Sequence, residues 1–490
     1  MTAPTEQPPR KLSGKRTVVS EHLERGALRA HRRGFPAQAA GEKLSGTWTD
    51  GASAAAGSGR RCSTNTGHVM SRIAIIGAGI TGVTTAYALA QRGYSVTVLE
   101  RHRYAAMETS FANGGQLSAS NAEVWNSSAT VLKGLRWMLK SDAPLLMNPR
   151  PSWHKYSWIG EFLRQIPNYH DNTIETVRLA IAAREHLFSI AEREHIDFDL
   201  ERRGILHFYS TRAEFDAATK VNELLRAGGL DRRPVSANEI TCIEPALHGD
   251  FYGGFFTESD ATGDIHKFTR GLAEACVRHG VEFRYETNVD ALSVNQPDGI
   301  SISTQTGEDR STSVFDGVVI CAGVGSRGFA SVLGDHVNIY PVKGYSITVC
   351  LDDEDSRRDA PWVSLLDDKA KIVTSRLGRD RFRVAGTAEL NGFNRDIRAD
   401  RIEPLVRWTR DHFPGVSTAR TIPWAGLRPM LPSMLPRVGA GRTPGVFYNT
   451  GHGHLGWTLS AATAELLADV VLEHAPRKSS SLSFKMRKET

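Results

Sequence analysis

The sequence predicts an α/β chain with an α+β second domain, and three observations predict it. The apolar run Arg72-Ile-Ala-Ile-Ile-Gly77 breaks into small residues, then into helical spacing, then into a second apolar run, as in a buried parallel strand, crossover helix and partner strand. Residues 340–425 hold alternating runs (YSITV, KIVTS, RFRVAG), the period of an antiparallel sheet. Near the end, Gly445-Val-Phe-Tyr-Asn-Thr-Gly451 repeats the strand–glycine–helix theme.

In chain order, residues 1–69 differ from the rest. They are rich in Gly, Ala, Ser, Thr and Arg and poor in long apolar residues, with no secretory h-region. Two readings stand, a disordered tail and a start assigned too early, since Met70 directly precedes the first strand. The first strand is followed by a helix with Ile80, Val83, Ala86, Tyr87 and Ala90 at helical spacing, ending at Gly93. Ser95-Val-Thr-Val-Leu-Glu100 is the second strand. Residues 125–250 read as mostly helical, with long amphipathic stretches at 174–194 and 214–230. Residues 281–320 return to strands, with a hairpin at Pro297-Asp-Gly299 and a buried strand at Gly317-Val-Val-Ile-Cys-Ala-Gly323. A helix runs from the last glycines to about residue 473, and 476–490 form a basic tail. The expected domains are 70–165, 255–335 and 425–475 for a discontinuous nucleotide-binding domain, and 166–254 and 336–424 for a substrate or cap domain.

Composition removes several function classes. The 490 residues are 40% hydrophobic and 23% charged, ordinary for a globular chain. No uninterrupted apolar stretch approaches the ~18 residues of a membrane-spanning helix. The net charge of +6 is carried entirely by residues 1–69, which hold 11 Lys and Arg against 5 Asp and Glu. The remainder is balanced, so nucleic acid is not expected as a partner. The five cysteines are scattered, with no C-x-x-C pair, which argues against a metal site or disulfide framework and fits a reducing compartment.

Gly77-Ala-Gly79-Ile-Thr-Gly82 fits the dinucleotide fingerprint in its required setting, after a strand and opening a helix, with the acid Glu100 at the end of the next strand. Gly77 permits the tight turn, Gly79 lets backbone approach a pyrophosphate, and Gly82 allows close helix–strand packing. Ile80 and Thr81 open the helix whose N-terminal N–H groups meet the phosphates. Glu100 accepts from ribose hydroxyls, and an acid there argues against a 2′-phosphate. The motif does not separate NAD from FAD.

Five separated motifs, IAIIGAGITGVTTAYALAQRGYSVTVLER (73–101), ETSFANGGQ (108–116), PVKGYSITV (341–349), WAGLRPMLPSMLPRVG (424–439) and NTGHGHLGWTLS (449–460), together resemble the FAD-dependent D-amino-acid oxidase superfamily. Within it the chain is most similar to the bacterial D-amino-acid dehydrogenases of the small-subunit type. The resemblance implies a Rossmann-like FAD-binding domain with an antiparallel-sheet substrate domain, the arrangement also called glutathione-reductase-2-like. It implies noncovalent FAD held by Gly77, Gly79, Gly82, Glu100 and Arg101, by Thr109, Ser110, Asn113 and Gln116 along the pyrophosphate and flavin, by Val289 at the adenine, and by Gly451, His452, Gly453, His454, Leu455 and Gly456 at the flavin ring. It implies that Arg428 binds the substrate carboxylate. Tyr345 is a candidate contact to carboxylate or amine, and His454 a candidate proton acceptor. The implied reaction is oxidative deamination of D-amino acids to 2-oxo acids and ammonia, with electrons passed to a quinone or another non-oxygen acceptor. The alternative is a glycine- or sarcosine-type oxidase using O₂. The implied location is cytoplasmic, with peripheral contact at the inner membrane. The aromatic stretch 153–158 tempts a membrane reading, although helix packing is the preferred one.

Two departures from the family pattern stand out. Pro432-Ser433-Met434 replaces the usual Pro-Asp-Gly, which predicts a conformationally different loop, and Gly114 stands where Ala is common.

Overall fold

In the computed structural model, residues 71–137, 144–295 and 299–474 are described. The nucleotide side is a six-stranded sheet. Its order is Arg437–Ala440, Val446–Thr450, Gly317–Ile320, Arg72–Ile76, Ser95–Leu99, Glu282–Arg284. All neighbours run parallel except the pair at the Arg437–Ala440 edge. Arg72–Ile76 is central and almost wholly buried, which is why it reads as an unbroken apolar run. From it the chain moves first to Ser95–Leu99 on one side, and strand Gly317–Ile320 flanks it on the other. The carboxyl ends of these strands therefore open a crevice at a topological switch point, where nucleotides bind in such sheets.

Helices Ile80–Ala90, Ile265–Arg278 and Gly456–His474 cover one face around Tyr87, Phe268, Leu272 and Trp457. Burial of each such side chain contributes about 1.5–3 kcal/mol. Helix Gly456–His474 is long and apolar enough to cross a membrane, but most of it is buried inside the protein, and its composition serves this core. The opposite face is covered by a three-stranded antiparallel sheet, Thr287–Asn295, Gly299–Thr306 and Asp309–Phe315, through Ile300, Ile302 and Phe315. The expected hairpin is present in its strands, with Asn295 facing Gly299. Its turn residues Pro297 and Asp298 lie outside the described residues, as do Cys62, the N-terminal extension and the basic tail.

The second layer is a nine-stranded sheet. Its main path runs Thr421–Met430, Tyr340–Cys350, Arg381–Leu390, Ile372–Arg376, Ser364–Asp367, Ile205–Tyr209, Gly253–Thr257, Arg233–Ser236, and Leu145–Met147 pairs with Arg381–Leu390. Helix Ala399–His412 seals one face with Leu405 and Trp408 over Ile347 and Val384. The expectation of an antiparallel sheet over 340–425 is met within that segment. The full sheet is mixed, because Ser364–Asp367 pairs parallel with Ile205–Tyr209 and Leu145–Met147 pairs parallel with Arg381–Leu390. Three short strands of this sheet come from the region read as mostly helical. Residues 424 and 425 lie inside Thr421–Met430, and residues 254 and 255 inside Gly253–Thr257, each strand hydrogen-bonded along its length into the large sheet.

Candidate active site

The glycine-rich turn shows in its geometry why it is glycine. Gly77 has φ +104, and a Cβ there would lie 2.8 Å from the Cys321 carbonyl. A Cβ on Gly82 would lie 1.9 Å from the Gly77 carbonyl, so no side chain fits between helix and strand. At Gly79 a Cβ would meet only Ser110 Oγ, at 3.5 Å, leaving that side open for a phosphate. Ser110 Oγ accepts from the Ile80 N–H at 3.0 Å, so a residue from the following loop caps the helix that Ile80 and Thr81 begin. Glu100 is buried and accepts from the Ala78 and His102 N–H groups at 2.6 and 2.9 Å. It braces the turn and keeps lone pairs for hydroxyl donors. The Thr287 N–H donates to the Glu100 carbonyl at 2.9 Å, which brings Val289 and its bulge alongside.

Arg101 turns away from Glu100 and pairs with Glu108. Glu108 also takes His102 Nε2 at 2.8 Å and Arg395 at 2.7 Å, which joins the 101–108 segment to the turn after Leu390. Burial alone would raise the Glu108 pKa. The Arg395 and His102 hydrogen bonds and the Arg101 charge outweigh it and bring the carboxyl to about 2.

Segment 109–116 lies on the large sheet. Thr109 Oγ1 donates to the Leu427 carbonyl at 2.9 Å, Ser346 Oγ to the Ala112 carbonyl at 2.9 Å, and Ser375 Oγ to the Gly114 carbonyl at 2.6 Å. Arg383, which sequence reasoning missed, donates to the Asn113 carbonyl at 2.9 Å, and Asn113 Oδ1 takes the Gly115 N–H. Gln116 Nε2 binds Ser364 Oγ at 2.7 Å, while its buried Oε1 has no partner among the described residues. At Gly114, where Ala is common in the family, a Cβ would meet Val373 Cγ2 at 2.8 Å.

Arg428 sits on strand Thr421–Met430 opposite Val342. Its NH1 donates to the Thr387 carbonyl at 2.8 Å, and among the described residues it has no carboxylate partner. The guanidinium lies against Gly344, where a Cβ would be 2.3 Å from NH2. Burial lowers its pKa to about 10, so it remains a cation. Residues 342, 344 and 346 share the face of Arg428, and Ser346 reaches segment 109–116 from that face. Tyr345 is on the opposite face. Its hydroxyl donates to Glu389 at 2.6 Å inside the core under helix Ala399–His412. Strand parity thus turns Tyr345 away from Arg428, against the expectation that it meets the substrate there.

The loop 451–456 returns to the same place. Gly451 and Gly453 have φ +80 and +59, and Gly453 N–H donates to the Pro429 carbonyl at 2.9 Å. His452 is buried with Nε2 3.0 Å from Thr463 Oγ1, and burial takes its pKa down to about 3. Leu455 is buried and Gly456 starts the last helix. His454 stacks on Trp125 (centroids 4.8 Å apart, planes at 24°), and its ring is buried with the Asn121 backbone beside it. Burial, then the Arg428 charge, lowers its pKa to about 3, so it is a neutral imidazole beside the guanidinium. Trp125 carried no signal in the sequence, since an aromatic in a loop has no period to mark it.

Met434 adopts φ +65, the left-handed state natural to glycine, and is buried beside Val124 and Trp158. Within 153–158, Trp158 is buried and stacks on Phe162, whereas Trp153 is 84% exposed. Packing accounts for the first and not the second.

The glycine cradle, the braced acid and the glycine-rich return loop fit an extended dinucleotide. The family model for FAD-dependent oxidoreductases of the DAO type matches residues 72–470. The chain belongs to this family. DAO-family members use FAD, and the crevice here has the glycines and donors to hold it. Over 407 residues the chain is 64% identical to D-amino acid dehydrogenase 3 of Mesorhizobium japonicum, covering 83% of this chain and 98% of that one. It is 39% identical over 411 residues to D-amino acid dehydrogenase of Paramagnetospirillum magneticum, covering 82% and 94%. Among solved structures, glycine oxidase from Geobacillus kaustophilus superposes with TM-score 0.65 at 21% identity, covering 83% of this chain and 96% of that one. L-Proline dehydrogenase from P. horikoshii gives 0.64 at 16%, covering 82% and 94%. These two share the DAO fold.

Proposed function

We propose that this FAD-dependent oxidoreductase dehydrogenates D-amino acids to imino acids, which hydrolyse to 2-oxo acids and ammonia. The observation that carries the reading is the Arg428 guanidinium, a buried cation that, among the described residues, meets one carbonyl and no carboxylate. A guanidinium in that state matches a carboxylate through two parallel hydrogen bonds. The named relatives, at up to 64% identity, support the substrate class.

Bound FAD supplies the two-electron acceptor for the α-hydrogen. The chain's own residues do the rest. Arg428 fixes the carboxylate and thereby the direction of Cα–H. Positioning of this kind is worth up to ~7–11 kcal/mol in well-aligned model systems. Trp125 and the neutral His454 wall the space beside it, and an uncharged imidazole there adds no second cation against the substrate's amine. With its pKa brought down to about 3, His454 is a poor acceptor for the amine proton, so its place is as a wall of that space and not as the base. The acceptor we propose is a quinone or another non-oxygen carrier, met at the periphery of the membrane from the cytoplasmic side. The exposed Trp153 and Tyr156 on helix Trp153–Arg164 support such a contact.

The test is turnover of D-alanine by purified yellow protein with an artificial acceptor, under air and under argon. Equal rates without stoichiometric peroxide, and none with the L-isomer, are expected. Oxygen-dependent turnover with peroxide, or preference for glycine or sarcosine, replaces the reading with an oxidase.

A further inference from the structure

Strand Arg381–Leu390 carries a defect directly behind the substrate guanidinium. Its pairing with Tyr340–Cys350 steps from Tyr345↔Gly386 to Lys343↔Glu389, three residues on one strand against two on the other. The extra residue lies in Thr387-Ala388, and Thr387 has φ +59. A β-branched residue in the left-handed region is an outlier that only its surroundings can hold, and such strain gathers where a ligand is gripped. Bulges of this kind re-aim a group next to a site.

Here the re-aimed group is identifiable. The Thr387 carbonyl receives the one hydrogen bond that the Arg428 guanidinium makes among the described residues. Thr387 is buried and its own hydroxyl has no partner among the described residues, so no hydrogen bond of the side chain explains the conformation. The bulge is also held from the far side of the sheet. Glu389, two residues on, accepts from Tyr345 at 2.6 Å, Asn391 at 3.0 Å and Arg398 at 3.2 Å, and pairs with the fully buried Lys343 at 3.3 Å. Gly344, between Lys343 and Tyr345, is the residue whose missing Cβ leaves room for the guanidinium.

We propose that Thr387 is a positioning residue. Its strained bulge, locked by the Lys343–Glu389–Tyr345 cluster, sets the direction of the Arg428 guanidinium and so the pose of the substrate carboxylate. This rests on the reading of Arg428 as the carboxylate clamp.

The experiment uses holoenzyme of five variants, Thr387→Gly, Thr387→Asn, Glu389→Gln, Arg428→Lys and the Thr387→Gly/Arg428→Lys double variant, with two readouts. One is KM against kcat for D-alanine. The other is the dissociation constant of propionate, a carboxylate without an amine, from its perturbation of the flavin spectrum. Thr387→Gly frees the bulge and is expected to raise KM and the propionate constant about tenfold with a smaller change in kcat. Glu389→Gln moves both in the same direction. Thr387→Asn, whose side chain tolerates the left-handed state, stays nearer the parent. Thr387→Gly added to Arg428→Lys costs nothing further, because both act through one contact. Parent-like constants in Thr387→Gly and Glu389→Gln, with Arg428→Lys impaired, overturn the proposal. Should Thr387→Gly not fold, Glu389→Gln decides it. A parent-like Arg428→Lys instead overturns the clamp itself.

Discussion

Gly344 and Arg428 are coupled by contact, and a single methyl tests the coupling. A Cβ at Gly344 would sit 2.3–2.7 Å from three guanidinium atoms. The backbone there is an ordinary strand, so Ala is tolerated by the fold, and the guanidinium is the part that must move. Gly344→Ala is therefore expected to weaken D-alanine binding by about 1–3 kcal/mol, the cost of losing a charge-assisted hydrogen bond. Thermal stability should stay within about 1 kcal/mol. Steady-state KM and a thermal melt check it, and an unchanged KM removes Gly344 from the clamp. Much at this scale was legible in the sequence, but unevenly. Gly77, Gly79, Gly82 and Glu100 announce themselves because local chemistry at fixed spacing demands them. Arg428 was visible through its motif. Tyr345 was misread because its motif neighbours face the site while strand parity turns it into the core. Thr387, Arg383 and Trp125 gave no signal, since their roles arise only when distant strands and loops meet. Met434 holds a glycine-like φ that its identity argues against, and its buried neighbours supply the reason.

At the scale of elements, the parallel strands and the crossover helix were readable because buried parallel strands are apolar without interruption. Leu145–Met147 and Ile205–Tyr209 were not, being short and paired with strands far off in sequence. One join between elements carries a pH dependence. Glu108 ties Arg101 and His102 to Arg395, and its carboxyl is held near 2. Its folded pKa is below the unfolded value of about 4.3. The stabilisation is therefore complete above the unfolded value and fades as pH falls toward 2. Glu108 is 30% exposed, so after solvent screening the effect is about 1 kcal/mol. The thermal midpoint of the parent should fall more steeply between pH 5 and 2 than that of Glu108→Gln, whose midpoint at pH 7 is lower. Parallel curves for the two proteins would show that the join contributes nothing.

For the whole molecule, the residues assigned to FAD come from segments as far apart as Gly77 and Gly456, on both large sheets. Gly82 is in helix Ile80–Ala90 and Glu100 follows strand Ser95–Leu99 of the nucleotide sheet, segment 109–116 rests on the nine-stranded sheet, and loop 451–456 is tied to Pro429. A ligand that bridges segments so separated binds the folded state and not the unfolded one. Its stabilisation follows mass action, about 2.7 kcal/mol at a hundredfold excess over the dissociation constant. Protein stripped of FAD should therefore melt at a lower temperature, and its midpoint should climb with the logarithm of added FAD. Gly82→Ala separates this from nonspecific effects. With only 1.9 Å available between the new Cβ and the Gly77 carbonyl, the turn must open, so this variant should melt lower and respond weakly to FAD. Scanning fluorimetry over a series of FAD concentrations measures both slopes. A flat response in the parent, or an equal one in Gly82→Ala, would mean that the glycine turn does not hold the cofactor.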